Sequence, residues 1–331
     1  MADTLTITKQ THTQNVIPFN NKHFMPTIFK RSNIRLLAGI AVVFLLVMSL
    51  VSCEKEVKIN LKTGDPSLVV EGAIENNLPP YVFLTKSIGY FSTINLNTLQ
   101  NSFVHDAKVT VSDGVNVVEL KEYALDTGSS GNKFFFYTID TSKGFFIGEI
   151  GKIYKLTIET GGKVYESYTK IPNPTVIDSV KTVQPDPPFD KEKNPIARQI
   201  RIYFKDPDTA GNYVRYFTKR NSEPYYPGLN SVYPDEIING IYFETTLSLG
   251  EPRSAEFKRD STGVGYPGDT VTLKWSAIDK ATYTFWSTYE YSLGTLGNPF
   301  STPIQVKSNV SNGALGIWAG YGSVYKTLVL E

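Results

Sequence analysis

The sequence has little sulfur and little histidine: its 331 residues include one cysteine, three methionines and three histidines. After residue 52, His105 is the only histidine and no methionine remains. A Cys–His nucleophilic pair and a histidine- or thiolate-rich metal site are therefore not expected, and a Ser–His–acid triad would need His105. His105 lies where a loop leads into a strand, which predicts a solvent-exposed side chain. We predict no catalytic residue, no metal site and no cofactor.

The chain also lacks an excess of charge of either sign, with 33 basic and 32 acidic residues. After residue 52 the acidic residues slightly outnumber the basic ones. Proteins that bind nucleic acid neutralise many phosphates with lysine and arginine. We therefore expect no nucleic-acid partner.

The one long apolar run, Leu36 to Val51, follows Lys30, Arg31 and Arg35 and leads directly to Ser52 and the single cysteine. A charged region, an apolar region and a small residue in this order are typical of a secretory signal. The run is shorter than the roughly 20 residues that a transmembrane helix needs, and it lacks the polar face of a surface-packed helix. We predict that residues 1–52 are a signal peptide.

The four residues that end at Cys53 resemble the lipobox of bacterial lipoproteins, in which the cysteine is acylated and becomes the first mature residue. Acyl chains contribute about 0.8 kcal/mol for each buried methylene, so two or more chains anchor a protein stably. Residues 53–66 would then form a short lipidated tether to the bilayer. Because residues 1–24 precede the charged region and fit no signal peptide, we expect translation to start at Met25.

From residue 67 the pattern is typical of an all-β domain, because short β-branched and aromatic runs alternate with turn residues. Asp113-Gly114 and Gly161-Gly162 separate adjacent runs, as tight hairpins require. We predict an immunoglobulin- or transthyretin-like β-sandwich over residues 67–171. Its strands are expected at 68–73, 81–86, 107–112, 115–123, 133–138, 153–160 and 163–170.

Pro172-Asn173-Pro174 interrupts this pattern, since neither a strand ladder nor a helix continues through two such prolines. A second, mostly-β domain is predicted over residues 175–331, with one short helix at about 280–293 between Asp279 as the N-cap and Gly294 beyond its end. Its strands are expected at 176–183, 199–204, 213–220, 241–249, 270–276, 303–308 and 325–330. Residues 308–320 are interpreted as a glycine-bounded hairpin that places Trp318 in the core.

Two aromatic groups are candidates for contact with a ligand or partner. The helix carries Thr282, Phe285, Trp286, Tyr289 and Leu293 on one face, which either packs on a sheet or offers an aromatic platform for a ligand. Tyr225, Tyr226 and Tyr233 lie in a region that we interpret as a long loop, where packing explains exposed tyrosines less readily. We predict ligand or partner contact for these three tyrosines.

The sequence resembles the Bacteroidota lipoproteins of the family called domain of unknown function 4249. The segments that carry the resemblance span nearly all of the chain after Cys53: Leu68–Gly72, Asp106–Val111, Phe204–Pro207, Asn212-Tyr213, Asn239-Gly240, Gly297–Pro303, Ser308–Val310, Asn312-Gly313 and Leu315–Gly320. The family is commonly encoded beside TonB-dependent receptors. The resemblance therefore implies an outer-membrane lipoprotein, on the cell-surface face rather than the periplasmic face, with a β-barrel receptor as partner.

Three functions remain open. The first is a binding or accessory component of a TonB-dependent uptake system. The second is a structural or adhesive surface lipoprotein with no small-molecule ligand. The third, a hydrolase that uses carboxylates alone, would need Asp206, Asp208, Asp235 or Glu236, but these residues occur in sequence contexts typical of turns. We therefore predict a protein that is not an enzyme.

Overall fold

Alternating apolar residues build a structure dominated by strands. The computed structural model describes residues 39–44, 65–89, 92–126, 133–187, 189–236, 239–302 and 304–331. Cys53, Met25 and most of the predicted tether lie outside the described residues. The chain divides into two compact units, Met1–Lys62 and Thr63–Glu331. In the first unit residues 39–44 form an exposed helix, α1.

The second unit contains fourteen strands and two further α-helices among its described residues. The strands are β1 (Leu68–Glu75), β2 (Tyr81–Lys86), β3 (Lys108–Ser112), β4 (Val117–Asp126), β5 (Lys133–Ile139), β6 (Ile153–Thr160), β7 (Lys163–Lys170), β8 (Ile177–Val183), β9 (Gln199–Lys205), β10 (Tyr213–Arg220), β11 (Tyr226–Pro234), β12 (Tyr242–Leu247), β13 (Thr270–Ile278) and β14 (Leu315–Val329). The helices are α2 (Leu96–Gln100) and α3 (Lys280–Gly294), and Thr141–Lys143 form a 3₁₀ turn. Within the described ranges, no helix is long and apolar enough to cross a membrane.

Eleven strands form one sheet in the order β11-β10-β13-β14-β1-β2-β5-β4-β3-β6-β7. Most neighbours are antiparallel, but β14 runs parallel to β1, with Ile317 opposite Glu71 and Tyr321 opposite Glu75. Strands β12, β9 and β8 form a second sheet. The long sheet therefore joins strands from both predicted domains, and the boundary between residues 171 and 175 stays a prediction.

Apolar side chains lie on both faces of the long sheet. One core contains buried residues from β1 to β7 together with Trp318. The first half of the sheet therefore curves so that these strands enclose one apolar interior. A second core lies between β10, β13 and the three-stranded sheet, and it includes Tyr216 and Trp275. A third core lies on the opposite face of β13 and β14, where Phe285 of α3 packs. The predictions of an all-β, sandwich-like fold and of one short helix at about 280–293 are confirmed.

Several predicted elements differ from the structure. Residues 225–234 are not a long loop, because Tyr226–Pro234 form the edge strand β11. Residues 304–308 form no strand. The hairpin predicted at 308–320 is wrong, since Leu315–Val329 form one continuous strand, although Trp318 is fully buried as predicted.

The predicted N-terminal end of α3 is confirmed, and the predicted C-terminal end is wrong by one residue. The Asp279 side chain accepts a hydrogen bond from the backbone N–H of Thr282 at 2.8 Å, which confirms the N-cap. Gly294 is the last helical residue rather than the residue beyond the end, and Thr295 is the C-cap. The left-handed backbone conformation occurs at Gly297, with φ 79°.

Candidate functional site

A groove of about 380 Å³ lies on one face of the long sheet, where strands from both halves of the sequence meet. We call it the central groove. Side chains two residues apart on a strand point to the same face, so Glu71 and Glu75 of β1 lie on the face that also carries Arg215 of β10. The charged residues that line the groove are Glu71, Glu75, Arg215, Arg253 and Lys274. The aromatic residues that line it are Tyr81, Phe217, Tyr225, Trp286, Tyr289 and Tyr321.

Arg215 is buried in the wall of the central groove, with 4% of the residue exposed. Its Nε donates to Ser231 Oγ at 3.2 Å and its Nη1 donates to Tyr321 Oη at 3.0 Å. The guanidinium carbon lies 3.4 Å from the ring centre of Trp286 and 4.6 Å from that of Phe217. Stacking between aromatic rings stabilises a guanidinium and fixes its plane. Arg215 is therefore a rigid, charged part of the groove.

The Tyr321 hydroxyl accepts two hydrogen bonds, from Arg215 and from Trp286 Nε1, the latter at 3.0 Å. A tyrosine hydroxyl has one proton to donate. Among the described residues no acceptor takes that proton. Burial raises the pKa of Tyr321, although Arg215 opposes this rise, so the hydroxyl is protonated at neutral pH.

Ser231 connects Arg215 to the ion pair of Glu290 and Arg253. Its hydroxyl donates to Glu290 Oε1 at 2.5 Å, and its backbone N–H donates to Glu290 Oε2 at 2.8 Å. Arg253 Nη2 also donates to Glu290 Oε1, at 3.0 Å. These bonds join β11 to α3. Glu290 already forms an ion pair with Arg253, so it compensates Arg215 only through a neutral hydroxyl.

A second buried cation, Lys274, has a carboxylate partner. Its ammonium group contacts Glu75, and the same carboxylate accepts a hydrogen bond from the Tyr325 hydroxyl. Only 16% of the Lys274 side chain and 10% of the Glu75 side chain are exposed. Burial raises the pKa of Tyr325, and the hydrogen bond to Glu75 raises it further. The charge of Lys274 is therefore balanced within the protein.

Glu71 faces the groove without a partner. Among the described residues it forms no ion pair, and no side chain donates a hydrogen bond to it. Its side chain is accessible to water, but protein surrounds it on the sides of the concave surface. This partial removal from solvent raises the pKa of Glu71, and the positive charge of Arg215 opposes the rise.

The three predicted contact tyrosines do not lie together. Tyr225 lines the central groove with 39% of the residue exposed, and its ring centre lies 6.0 Å from that of Tyr325. Tyr226 is opposite Thr218 in the β10–β11 pairing and lines a separate surface hollow. Tyr233 stacks on Tyr216 at 6.2 Å and packs against the second core. Of the three, the structure brings only Tyr225 to the groove.

The aromatic face of α3 packs on the sheet, as one of its two interpretations predicts. Thr282 and Phe285 are buried, while Trp286 and Tyr289 pack against the third core and also line the groove. The ring centres of Trp286 and Tyr289 are 5.6 Å apart in an edge-to-face arrangement. Packing therefore fixes these two rings while one side of each remains part of the groove wall.

The candidate carboxylates of a hydrolase lie away from the central groove. Asp206 and Asp235 are buried, whereas Asp208 and Glu236 are exposed. Asp235 accepts the backbone N–H of Asn212 at 2.9 Å and so stabilises a turn. Burial raises the pKa of Asp206, and its Oδ2 has no hydrogen-bond partner among the described residues.

A second hollow, of about 410 Å³, lies beside the loop that follows β12. Its charged residues already have partners in the protein. Asp186 pairs with Arg201 at 3.0 Å, Glu251 accepts the backbone N–H of Gly263 at 2.8 Å, and Arg253 pairs with Glu290. The central groove is therefore the better candidate for recognition of a ligand, since Arg215 and Glu71 interact there only through space and form no ion pair among the described residues.

His105 does not line the central groove. Its side chain is 45% exposed, and Nδ1 lies 2.5 Å from Glu122 Oε1, which confirms the predicted exposure. Within the described residues no group of three or more histidine, cysteine, aspartate or glutamate side chains is arranged to bind a metal ion.

The groove was not predicted from the sequence, although its charged residues gave a signal. Glu71 and Glu75 interrupt the apolar strand β1, and Lys274 interrupts the apolar strand β13. Only the register of β1, β13 and β14 shows that these residues share one face.

Comparison with known proteins agrees with the resemblance seen in the sequence. No curated protein sequence matches the chain. The sequence model of one family matches residues 54–327, which include every strand that lines the groove except the last two residues of β14. The chain belongs to that family, which is described as a domain of unknown function, DUF4249.

Proposed function

We propose that this protein is a lipoprotein of the outer membrane that binds a small molecule in its central groove and retains it for a TonB-dependent β-barrel receptor. The acylated Cys53 anchors the chain in the bilayer, and the cell-surface face is the proposed location. The observation that carries the binding role is the groove itself. Its volume of about 380 Å³ suits a small ligand, and its aromatic walls surround Arg215 and Glu71, which form no ion pair among the described residues.

The anchor and the receptor are supported by the sequence around Cys53 and by the resemblance to Bacteroidota lipoproteins. Co-purification after extraction in mild detergent tests the receptor. We expect the wild-type protein to carry a large β-barrel protein with it. A Cys53→Ser variant is the control, and it should lose the mass of the acyl chains and leave the membrane fraction. Purification of the wild type as a solitary monomer would count against the receptor.

Thermal unfolding separates a binding protein from an adhesive or structural one. A ligand present at 100 times its dissociation constant stabilises the folded state by about 2.7 kcal/mol. A screen of small molecules should therefore raise the melting temperature of the wild-type protein for at least one chemical class. No shift with any class would favour the structural or adhesive alternative.

A further inference from the structure

We propose that the central groove binds an organic acid, whose carboxylate is bound by the Arg215 guanidinium and the Tyr321 hydroxyl and whose apolar body lies against Trp286 and Tyr289. This inference rests on the proposed role of the groove as a ligand site and names the chemical class of the ligand.

The guanidinium of Arg215 has no bonded counterion in the protein, although Glu71 interacts with it through space. Both hydrogen-bond partners of the guanidinium are neutral hydroxyls, of Ser231 and Tyr321. Among the described residues no carboxylate forms an ion pair with it, whereas Lys274 and Arg253 each have one. A buried charge without a bonded counterion destabilises the folded protein. A carboxylate in the groove would supply the missing charge.

Arg215 and Tyr321 both keep hydrogen-bond donors that no described residue uses. Arg215 uses Nε and Nη1 within the protein, so Nη2 keeps its protons for a further acceptor. The Tyr321 hydroxyl accepts from Arg215 and Trp286 and keeps its own proton. Because Arg215 and the Tyr321 hydroxyl are hydrogen-bonded to each other, their remaining donors can each bind one oxygen of the same carboxylate.

An apolar wall lies beside these donors. Trp286 and Tyr289 are fixed by their packing on the third core, and Phe217 also lies against the guanidinium. Aromatic side chains fixed in this way bind an apolar body at little cost in conformational entropy. The combination of one anion-binding end and aromatic walls selects an acid with an apolar, preferably aromatic, body.

The charged groups around Glu71 predict a pH dependence. Glu71 shares the groove with Arg215 of β10, Lys274 of β13, Tyr321 of β14, Tyr81 of β2 and the paired Glu75 of its own strand, and also with Arg253, Tyr225 and Tyr289. A bound carboxylate disfavours a second negative charge in the groove, so Glu71 takes up a proton when the acid binds. Affinity for the acid is therefore expected to rise as the pH falls from neutral, and a Glu71→Gln variant should bind more tightly at neutral pH and lose this dependence.

The test uses 3-phenylpropionate and its uncharged amide as probes. Their binding to the full lipidated protein in detergent is measured by calorimetry. We expect the acid to bind at least about tenfold more tightly than the amide, because a hydrogen bond to a charged group is worth more than one to a neutral group. Arg215→Gln and Tyr321→Phe should each weaken binding of the acid by about tenfold or more. Arg220→Gln, on the same strand, is the matched control and should leave binding unchanged.

Equal affinity for the acid and the amide would overturn the inference, and so would wild-type affinity in a folded Arg215→Gln variant. Tighter binding of inorganic phosphate than of the acid would overturn the assignment to a carboxylate. If Arg215→Gln does not fold, the comparison of acid with amide on the wild type still decides. Failure of both probes at concentrations up to about 10 mM would overturn the organic-acid inference, while a ligand of another class in the thermal screen would leave the proposed binding role standing.

Discussion

The buried pair of Lys274 and Glu75 provides a quantitative test of the structure. Lys274→Met removes the ammonium group and keeps most of the side-chain volume. Glu75 then remains buried with only the Tyr325 hydroxyl as a partner. Breaking a buried pair by removal of one partner costs about 3–5 kcal/mol, because the other charge is left without compensation.

The melting temperature should report this loss clearly. In a folding unit of this size 1 kcal/mol corresponds to about 2–4 °C, so Lys274→Met should lower the melting temperature by roughly 10 °C. Lys326→Met is the matched control, because Lys326 is exposed on β14. Such a surface substitution changes the free energy of unfolding by at most about 0.5 kcal/mol.

A double variant separates lost charge compensation from lost packing. Glu75→Gln with Lys274→Met removes both charges and keeps an acceptor for Tyr325. We expect it to recover at least about half of the loss, with a coupling energy of about 1–3 kcal/mol in urea unfolding. If Lys274→Met costs no more than Lys326→Met, or if the two substitutions at the pair are simply additive, then Lys274 does not compensate the charge of Glu75.

Three further predictions concern positions outside the groove. Trp318→Ala should lower the free energy of unfolding by about 3–5 kcal/mol in urea, since the side chain is fully buried; a cost below 1 kcal/mol would contradict its place in the core. Asp279→Ala should lower the free energy of unfolding by about 2 kcal/mol in urea, because the carboxylate accepts from the backbone N–H of Thr282 and from the Thr169 hydroxyl. Asp279→Asn should keep part of this cap and lose less stability. Burial raises the pKa of Asp206 above its ordinary value of 3.8, so the folded protein binds this proton more tightly than the unfolded chain does. Asp206→Asn should therefore stabilise the protein at pH 7 and lose this advantage as the pH falls towards 3.8; urea unfolding at both pH values checks it, and a constant difference would contradict the raised pKa.

Local pattern was sufficient to predict the strands of the first half. In β3 the apolar Val109 and Val111 alternate with polar residues, and both valines are buried. Glycines with positive φ lie at both predicted hairpins, at Gly114 and at Gly161 and Gly162. These signals depend only on neighbours in sequence, so they can be interpreted without knowledge of the rest of the fold.

The second half was harder to predict because several of its proline and glycine residues lie inside strands rather than in turns. Pro227 and Pro234 lie within β11, which tolerates them because it is an edge strand with one side unpaired. Gly320 and Gly322 lie inside β14 because other backbone comes close. A Cβ atom at these positions would lie 2.2 Å from the Lys170 carbonyl oxygen and 2.0 Å from that of Pro172.

The groove depends on information that no local pattern contains. The sequence showed charged residues in β1 and β13, but their meeting depends on the pairing of β14 with both strands. Tyr226 and Tyr233 were predicted to contact a ligand or partner, but the alternation of side chains along β11 places them away from the groove. The interpretation of this region as a loop did not include that alternation. Arg215 was overlooked because an arginine in a strand is ordinarily a surface residue.

The parallel pairing of β1 with β14 also determines when the protein can finish folding. Asn76, next to β1, exchanges hydrogen bonds with Ser323 of β14 across a separation of 247 residues. Contacts over such separations form slowly, because a long loop must close before they add stability. Because β1 lies near the start of the folded unit and β14 at its end, one edge of β1 stays open to other chains until β14 has paired with it. A chain that stops before residue 315 lacks β14, the strand that joins β1 to β13, so the two halves of the long sheet cannot form one sheet.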